Sequence, residues 1–350
     1  MKRHHHTASV LVWFFLFVVI GAAVGLGLLA FAVKTPYKGH ASDSVLVTIP
    51  PRSSTLAILS ALEAGGVIRD RRIGLVVLKV FHRGRTLKAG EYRFTGPRSA
   101  EQVILQIAAG DVVTYRVTVP EGFSAEESFV LFASQGFGSL AEYRRLFGRP
   151  RDFEGVPVDA PTLEGFLFPE TYTVTRSMAA REIVSAMTRT FARRLPKGYE
   201  ESAAKRNLTL IQAVTLASLV EKETALAEER PLVAAVYLNR LKRGMLLQAD
   251  PTTIYALKRL GTWRGMLARS ELLADEAYNT YVKAGLPPGP ICSPGLASLR
   301  AAVAPAKVDY LYFVASGAGD ASHSFSADYE GQQKNVVLYH ERRKAAAEAP

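Results

Sequence analysis

Cysteine and acidic residues are scarce in this 350-residue chain. The single cysteine, Cys292, excludes an intrachain disulfide, and no Cys/His spacing indicates a structural zinc site. Asp and Glu number 32 against 43 Lys and Arg, so the formal net charge is +11. The basic residues do not form the aromatic-interleaved stripe of a nucleic-acid surface, and we predict no nucleic-acid partner. An anionic envelope polymer or a lipid surface explains the charge equally well.

One uncharged apolar run stands near the N-terminus. It covers residues 10–33, VLVWFFLFVVIGAAVGLGLLAFAV. At about 1.5 Å per residue this helix would be about 36 Å long, enough to cross a hydrocarbon core of about 30 Å. A cleaved signal peptide is the alternative, but its apolar part is usually only about 7–15 residues long, and the residues that follow do not resemble a cleavage site. We predict a single transmembrane helix.

The charges beside this run are almost balanced. Lys2 and Arg3 precede it, and Lys34 and Lys38 follow it, so the positive-inside rule decides little. A long C-terminal part can be translocated whatever the flanking charge. We therefore expect residues 1–9 to form a cytoplasmic tail and most of the chain to lie outside the cytoplasm.

Capping residues and periodicity divide the rest of the chain. Residues 34–44 are predicted to be a linker, and residues 45–118 a small α+β module. Residues 119–343 are predicted to form a larger α+β domain, followed by a flexible tail over residues 344–350. The predicted fold class is therefore α+β behind one membrane helix.

Individual helices are predicted from their caps and stops. Ser99, followed by Gln102 at the third helical position, predicts a capping box for a helix that ends before Gly110. Arg71–Phe81 is predicted to be one apolar helix. Residues 209–224 are predicted to be a buried helix with an apolar stripe.

The most informative stretch is residues 216–252, LASLVEKETALAEERPLVAAVYLNRLKRGMLLQADPT. It places Glu223 at the end of a strongly apolar helix. Ionisable groups beside apolar surface tend to have shifted pKa values, as an acid/base catalyst requires, although a solvated helix-end glutamate is the alternative. Glu221 does not share a helix face with Glu223 and is a poor second carboxylate for the same bond. We expect Glu221 to pair with Lys222 or with an arginine elsewhere.

Several motifs occur together in the order of a known family. They are LEGFLFPETYTV (163–174), LASLVEKETA (216–225), VYLNRLKRGMLLQADPTTIYAL (236–257), AYNTYVKAGLPPGPICSPGLASLRAAVAPA (277–306), YLYFVA (310–315) and HSF (323–325). Residues 163–340 resemble the YceG-like family of endolytic murein transglycosylases. The resemblance implies that Glu223 is the essential glutamate and that the 45–118 module is LysM-like. It also implies cleavage within nascent peptidoglycan strands, which terminates their elongation, beside synthases such as penicillin-binding proteins.

The chemistry of such a reaction is consistent with one carboxyl group. Hydrolytic glycosidases usually need two carboxylates. In a lytic transglycosylase the acid protonates the glycosidic oxygen, then accepts the proton of the sugar's own C6 hydroxyl as that hydroxyl closes onto C1. Glu223 must then be protonated at rest, and desolvation by the apolar helix is expected to raise its pKa. We predict no cofactor and no metal ion.

Eight further residues are candidate substrate contacts because they offer amides, carboxylates, hydroxyls or aromatic faces. They are Gln248, Asp250, Thr252, Tyr278, Asn279, Tyr281, Glu164 and Glu170. Structural roles stay open for several of them. Asp250 is as well suited to capping a helix over residues 252–257, Tyr281 to the core, and Glu164 and Glu170 to salt bridges.

Two other functions compete with this one. The first is a non-catalytic scaffold that binds glycan through the 45–118 module and recruits cell-wall synthases. The second is a muramidase that hydrolyses the same bond and leaves reducing ends instead of 1,6-anhydro ends. We predict that the chain lies in the inner membrane as a single-pass protein, with residues 119–343 on the periplasmic side.

Overall fold

The uncharged run lies within one continuous helix, α1 (His4–Lys34). Within it, Val12–Lys34 contains an 18-residue window with a mean hydropathy of 2.7 and is long and apolar enough to cross a membrane. The structure, a computed structural model, describes residues 4–348, with side chains from residue 12 to residue 347. The predicted cytoplasmic tail is therefore helical from His4 onward, and its first three residues lie outside the described part.

The described chain forms two units. The first contains the described residues up to Tyr115, together with Thr175–Ser177, and the second contains Arg116–Val174 and the described residues from Met178 onward. After α1, the elements of the first unit are β1 (Ser44–Ile49), α2 (Thr55–Ala64), α3 (Arg71–Val76), β2 (Gly90–Thr95) and α4 (Ala100–Ala109).

The sheet of the first unit is a simple antiparallel pair. β1 and β2 pair with Ser44 opposite Thr95 and Ile49 opposite Gly90. Alternate side chains of each strand point to the same face, which packs on the helices. A π-helical turn, Val77–Phe81, continues α3, so the helix predicted over Arg71–Phe81 changes its winding halfway.

The core of the first unit gathers side chains from every one of its helices. It includes Leu59 and Leu62 from α2, and Tyr92 from β2. Val33, in the last turn of α1, also belongs to this core and is only 1% exposed. The capping box predicted at Ser99 is confirmed: Ser99 Oγ accepts the amide N–H of Gln102 at 3.2 Å, and the Gln102 side chain accepts the N–H of Ser99 at 3.0 Å.

The second unit holds the remaining elements, apart from Tyr115, the first residue of β3, which belongs to the first unit. They are β3 (Tyr115–Thr118), α5 (Ala125–Ser134), α6 (Leu140–Phe147), β4 (Thr171–Val174), α7 (Ala180–Arg194), α8 (Tyr199–Ala204), α9 (Leu210–Glu223), α10 (Arg230–Lys242), α11 (Asp250–Leu260), α12 (Arg269–Leu272), α13 (Leu296–Val303), β5 (Tyr312–Ala315), β6 (His323–Ser326) and α14 (Tyr329–Glu348). β3 pairs with β4, and β5 with β6 in an antiparallel hairpin.

Helix α9 is the central element of the second unit. It contacts α8, α10, α11 and α13. The run 213–220 is buried on every side, as expected for a helix that is apolar all round. The tail predicted over residues 344–350 is helical as far as Glu348, because α14 continues to that residue.

The packing of α2 gives a direct test of the core of the first unit. Leu59 is completely buried, whereas Leu56 on the same helix is 51% exposed. We expect Leu59→Ala to lower the free energy of unfolding by about 2–5 kcal/mol, because it removes three buried carbons and leaves a cavity. The matched change Leu56→Ala should cost less than about 1 kcal/mol. Amide hydrogen exchange in residues 44–109 of the detergent-solubilised chain measures this unit separately. Equal loss of protection in the two variants would contradict the assignment of the core.

Candidate active site

Glu223 is the last residue of α9, where the buried helix reaches the surface. Thr209 and Gln212 form a capping box at the other end, and Thr224 ends the helix in an extended conformation (φ −139°, ψ 137°). The C-terminal end of a helix carries partial negative charge, which disfavours an ionised carboxylate. The position of Glu223 therefore favours its neutral form even before its neighbours are considered.

The surroundings of Glu223 raise its pKa to about 7. Loss of hydration is the largest cause, and the negative charge of Asp250 adds to it. The Tyr237 hydrogen bond and the positive charges of His323 and Arg240 oppose this rise. The side chain is half-buried, and Glu223 lines an open hollow of about 340 Å³ together with Gly122, Lys222 and Arg230.

Two residues of α10 support the glutamate from beneath. Tyr237 is 1% exposed, and its hydroxyl donates a hydrogen bond to Glu223 Oε1 at 2.6 Å. Burial raises the pKa of this phenol well above its ordinary value, so it remains a proton-bearing donor. Arg240, three residues later on the same face, donates to the carbonyls of Leu311 at 2.7 Å and Leu247 at 2.8 Å. These bonds fix the guanidinium group near the carboxylate.

A histidine held by a buried glutamate lies on another side of Glu223. His323 Nδ1 is 2.7 Å from Glu229 Oε2, and the His323 backbone N–H donates to Glu229 Oε1 at 2.6 Å. The Thr224 hydroxyl donates to the same carboxylate at 2.9 Å. Glu229 therefore joins the end of α9 to β6. When protonated, His323 stabilises the ionised form of Glu223.

Gln248, Asp250 and Tyr281 form the polar side of the site. Gln248 is exposed, and its φ of +51° places it in the left-handed region, where a side chain other than glycine is strained. Asp250 accepts a hydrogen bond from the Tyr281 hydroxyl. The negative charge of Asp250 raises the pKa of Glu223, and the charges of both carboxylates add to the burial that raises the pKa of Tyr281, so the three acidic groups are electrostatically coupled. Asp250 is the first residue of α11, after Ala249, and so does not occupy the predicted cap position.

Thr252, Tyr278 and Asn279 lie behind these residues. The Thr252 hydroxyl is fully buried and donates to the Ala249 carbonyl at 2.7 Å. Asn279 is also fully buried, and its amide donates to backbone carbonyls, including Ala274 at 2.8 Å. Tyr278 is 5% exposed and packs on the ring of Tyr255. These three side chains therefore support the loops that carry Gln248 and Tyr281.

Glu164 and Glu170 are engaged elsewhere. Glu164 is 2% exposed and accepts hydrogen bonds from the Ala125 N–H at 2.9 Å and the Tyr255 hydroxyl at 3.1 Å. Burial raises its pKa to about 7, and it lines a separate hollow of about 490 Å³. Glu170 pairs with Arg194, which lowers its pKa.

Several residues of the site were not among the sequence candidates. Tyr237 and Arg240 are buried polar groups of α10, and Glu229 is the residue before its first turn. In the sequence only their place close after Glu223 could have indicated them. Glu221 accepts the Gly295 N–H at 3.0 Å and lies 3.9 Å from Arg230. The expected arginine partner of Glu221 is therefore Arg230.

Known proteins resemble this chain over most of its length. The sequence model of the YceG-like family matches residues 47–337. A Bacillus subtilis protein named endolytic murein transglycosylase is 29% identical, over 87% of this chain and 86% of its own length. A Streptococcus pneumoniae protein of the same name is 28% identical over 95% of this chain. The aligned part is 65% of that relative's length, so this chain spans just under two thirds of it.

A solved structure shares the fold. The crystal structure of a YceG-like protein from Listeria monocytogenes superposes with a TM-score of 0.54 and is 28% identical in sequence. The superposition covers 83% of this chain and 98% of the Listeria chain. The family match extends well beyond half of the sequence and includes every residue around Glu223 described above. The chain belongs to the YceG-like family.

Proposed function

We propose that this protein is a membrane-anchored endolytic lytic transglycosylase of peptidoglycan, with Glu223 as its only acid/base catalyst. The observation that carries the proposal is a half-buried carboxyl group with a pKa of about 7 that is held by a buried phenol and lies near the charges of Asp250, Arg240 and His323. A group of this kind can donate and accept a proton near neutral pH. The names of the relatives from Bacillus subtilis and Streptococcus pneumoniae support the same reaction and substrate.

The proposed reaction uses one carboxyl group twice. Neutral Glu223 gives its proton to the oxygen that joins N-acetylmuramic acid to N-acetylglucosamine, and the bond from C1 to that oxygen breaks. The C6 hydroxyl of the muramic acid then attacks C1 and gives its proton to the Glu223 carboxylate. The product has a 1,6-anhydro end, no water is consumed, and the enzyme returns to its starting protonation state.

The neighbours of Glu223 balance the two halves of this cycle. Burial and the charge of Asp250 favour the acid needed for the first step. The Tyr237 hydrogen bond and the positive charges of Arg240 and His323 stabilise the carboxylate that forms in the transition state. We propose that exposed Gln248, together with Asp250 and Tyr281, contacts the sugars.

A hydrolytic muramidase is the second candidate, because Asp250 provides another carboxylate whose charge acts on Glu223. Such an enzyme would use Asp250 as the base or nucleophile. The hydrogen bond from Tyr281 to Asp250 and the names of the relatives favour transglycosylation instead. Reducing ends in the products would identify the hydrolase.

We further propose that α1 anchors the chain in the inner membrane, with the N-terminus in the cytoplasm and the rest in the periplasm, where murein lies. The apolar stretch Val12–Lys34 supports the anchor. The antiparallel pair β1–β2, with α2 and α3 between its strands in the chain, supports a LysM-like module that binds glycan. Cleavage of nascent strands beside penicillin-binding proteins would terminate their elongation.

Replacement of the catalytic carboxyl tests the proposal directly. We expect Glu223→Gln to lower the rate of anhydro-end formation about 10³-fold or more, because an amide cannot donate the proton. The amide retains the shape of the side chain and accepts the Tyr237 hydrogen bond, so the fold should persist. Mass spectrometry of fragments from uncross-linked glycan strands measures the anhydro ends.

The control for this change is a nearby exposed glutamate. Glu228 precedes Glu229 and is solvent-exposed, so Glu228→Gln makes the same chemical substitution at an exposed position. It should leave the rate within about twofold of the unchanged protein. Normal production of anhydro ends by the Glu223→Gln protein would eliminate the proposed catalyst.

The pH dependence tests the hydrogen bond from Tyr237. Activity requires neutral Glu223 and should fall as the pH rises through about 7. Tyr237→Phe removes a bond that lowers this pKa. The loss of activity at alkaline pH should therefore occur at a pH that is higher by roughly one unit. The matched control is Tyr255→Phe, which removes the equivalent bond to Glu164. This coupling would be ruled out if the Tyr237→Phe protein lost its activity at the same pH as the unchanged protein, or if this pH rose equally in the two variants.

A further inference from the structure

The membrane helix enters the first unit without a free linker. Val33 is part of that unit's core, and α1 contacts both α3 and α4. Beyond α1, Tyr37 exchanges two backbone hydrogen bonds with Arg98, at 2.9 and 3.1 Å. The first unit is therefore held directly against the end of the proposed membrane span.

The contact residues give the depth at which this unit meets the span. Phe31, Ala32 and Thr35 line a small hollow together with Ile73 of α3 and Ala100 of α4. Phe31 and Ala32 are apolar residues of the last turn before Lys34, where a span passes from hydrocarbon to headgroups. Ile73 and Ala100 must then lie at the level of the lipid headgroups.

The segment Lys79–Arg85 is tied to the two helices that contact the end of α1. Its first residues belong to the π-helical turn Val77–Phe81, which continues α3 and packs on α3 and α4. His82 Nε2 lies 3.0 Å from Glu101 Oε1, and Glu101 follows Ala100 directly. The segment therefore packs on the part of the first unit that meets the end of the proposed span.

The composition of this segment suits a lipid surface. Val80 is 64% exposed and Phe81 is 45% exposed, although both are apolar. Lys79, Arg83 and Arg85 are exposed beside them, and within the described chain no ion pair engages any of the three. The wider stretch 69–88 has seven Lys and Arg and one acidic residue. Exposed apolar side chains flanked by cations are typical of segments that lie in an anionic headgroup layer.

We propose that Lys79–Arg85 is a docking surface for anionic lipid headgroups on the side of the membrane where the first unit lies. Val80 and Phe81 enter the headgroup layer, and Lys79, Arg83 and Arg85 bind its phosphates. The proposal rests on the membrane anchor proposed above. Because α1 already keeps the segment beside the bilayer, weak contacts are sufficient for docking. Their effect is to fix the orientation of the first unit relative to the membrane.

A fluorescent label at the segment tests the proposal in the full chain. The native thiol of Cys292 is completely buried, so a cysteine introduced by Val80→Cys can be labelled selectively with an environment-sensitive nitrobenzoxadiazole dye. The labelled protein is reconstituted in phosphatidylcholine vesicles with or without about one third phosphatidylglycerol, an anionic lipid. Quenching by aqueous iodide and by headgroup-spin-labelled lipid measures whether the label is in water or in the headgroup layer. A second label, at Thr86→Cys, leaves Val80 in place, so the same quenching there excludes an effect of replacing Val80.

Charge reversal supplies the decisive comparison. The triple variant Lys79→Glu, Arg83→Glu, Arg85→Glu should lower the ratio of docked to undocked segment about a hundredfold in anionic vesicles. The matched triple variant Lys197→Glu, Lys205→Glu, Arg206→Glu changes the same charge at exposed positions of the second unit and should leave quenching unchanged.

Each result has a distinct meaning. Lipid quenching that depends on anionic lipid and on the three cations supports docking. Docking is overturned if iodide quenches the label fully and equally in all vesicles and variants. If that protein also resists alkaline carbonate extraction, the proposed anchor is retained. Release of the protein by carbonate would instead show that the proposed anchor itself has failed.

Discussion

The desolvation of one carboxyl group at the end of α9 is the constraint on which the candidate site depends. A glutamate in water would be ionised at neutral pH and could not act as an acid. Burial in an apolar surrounding, the end of the helix dipole and the charge of Asp250 all oppose ionisation of Glu223. The cost of keeping a polar group there is limited by the hydrogen bond from Tyr237.

That constraint explains why the second unit is built around α9. The contacts of α9 with α8, α10, α11 and α13 fix the helix whose last residue, Glu223, lines an open hollow. The surrounding groups are themselves fixed by backbone bonds, as Arg240 is by Leu311 and Leu247. The strained Gln248 is held by its N–H, which donates to the Thr280 carbonyl at 3.1 Å, and the hydroxyls of Thr252 and Thr280 lie 3.0 Å apart beneath it. Fixed groups of this kind need little reorganisation when charge develops.

Local sequence signals predicted much of the fold, because they act over a few residues. The capping box at Ser99 and the buried helix that ends at Glu223 both follow from caps and periodicity. The helix α14 was missed over most of its length, because its apolar residues do not form one face. The very short helices α8 and α12 carry too few residues to show a period.

The site was only partly predictable, for a different reason. The sequence places Glu223 at a helix end, but its partner Tyr237 is 14 residues away and meets it only through the packing of α9 on α10. Glu164 and Glu170 lie in one motif of the sequence, yet the chain turns between them and they contact different elements. Tertiary packing determines the partner of each buried polar group, and the spacing of residues in the sequence does not predict that partner.

Val33 connects α1, the proposed membrane helix, to the folding of the part that follows it. This side chain belongs at once to the last turn of α1 and to the core built on Leu59, Leu62 and Tyr92. Proteolytic cleavage directly after Val33 would therefore remove a core side chain together with the proposed anchor. The shed fragment would expose an apolar hollow and unfold more readily than the intact chain, so a freely diffusing and fully stable form of the protein cannot be produced by a cut at that point.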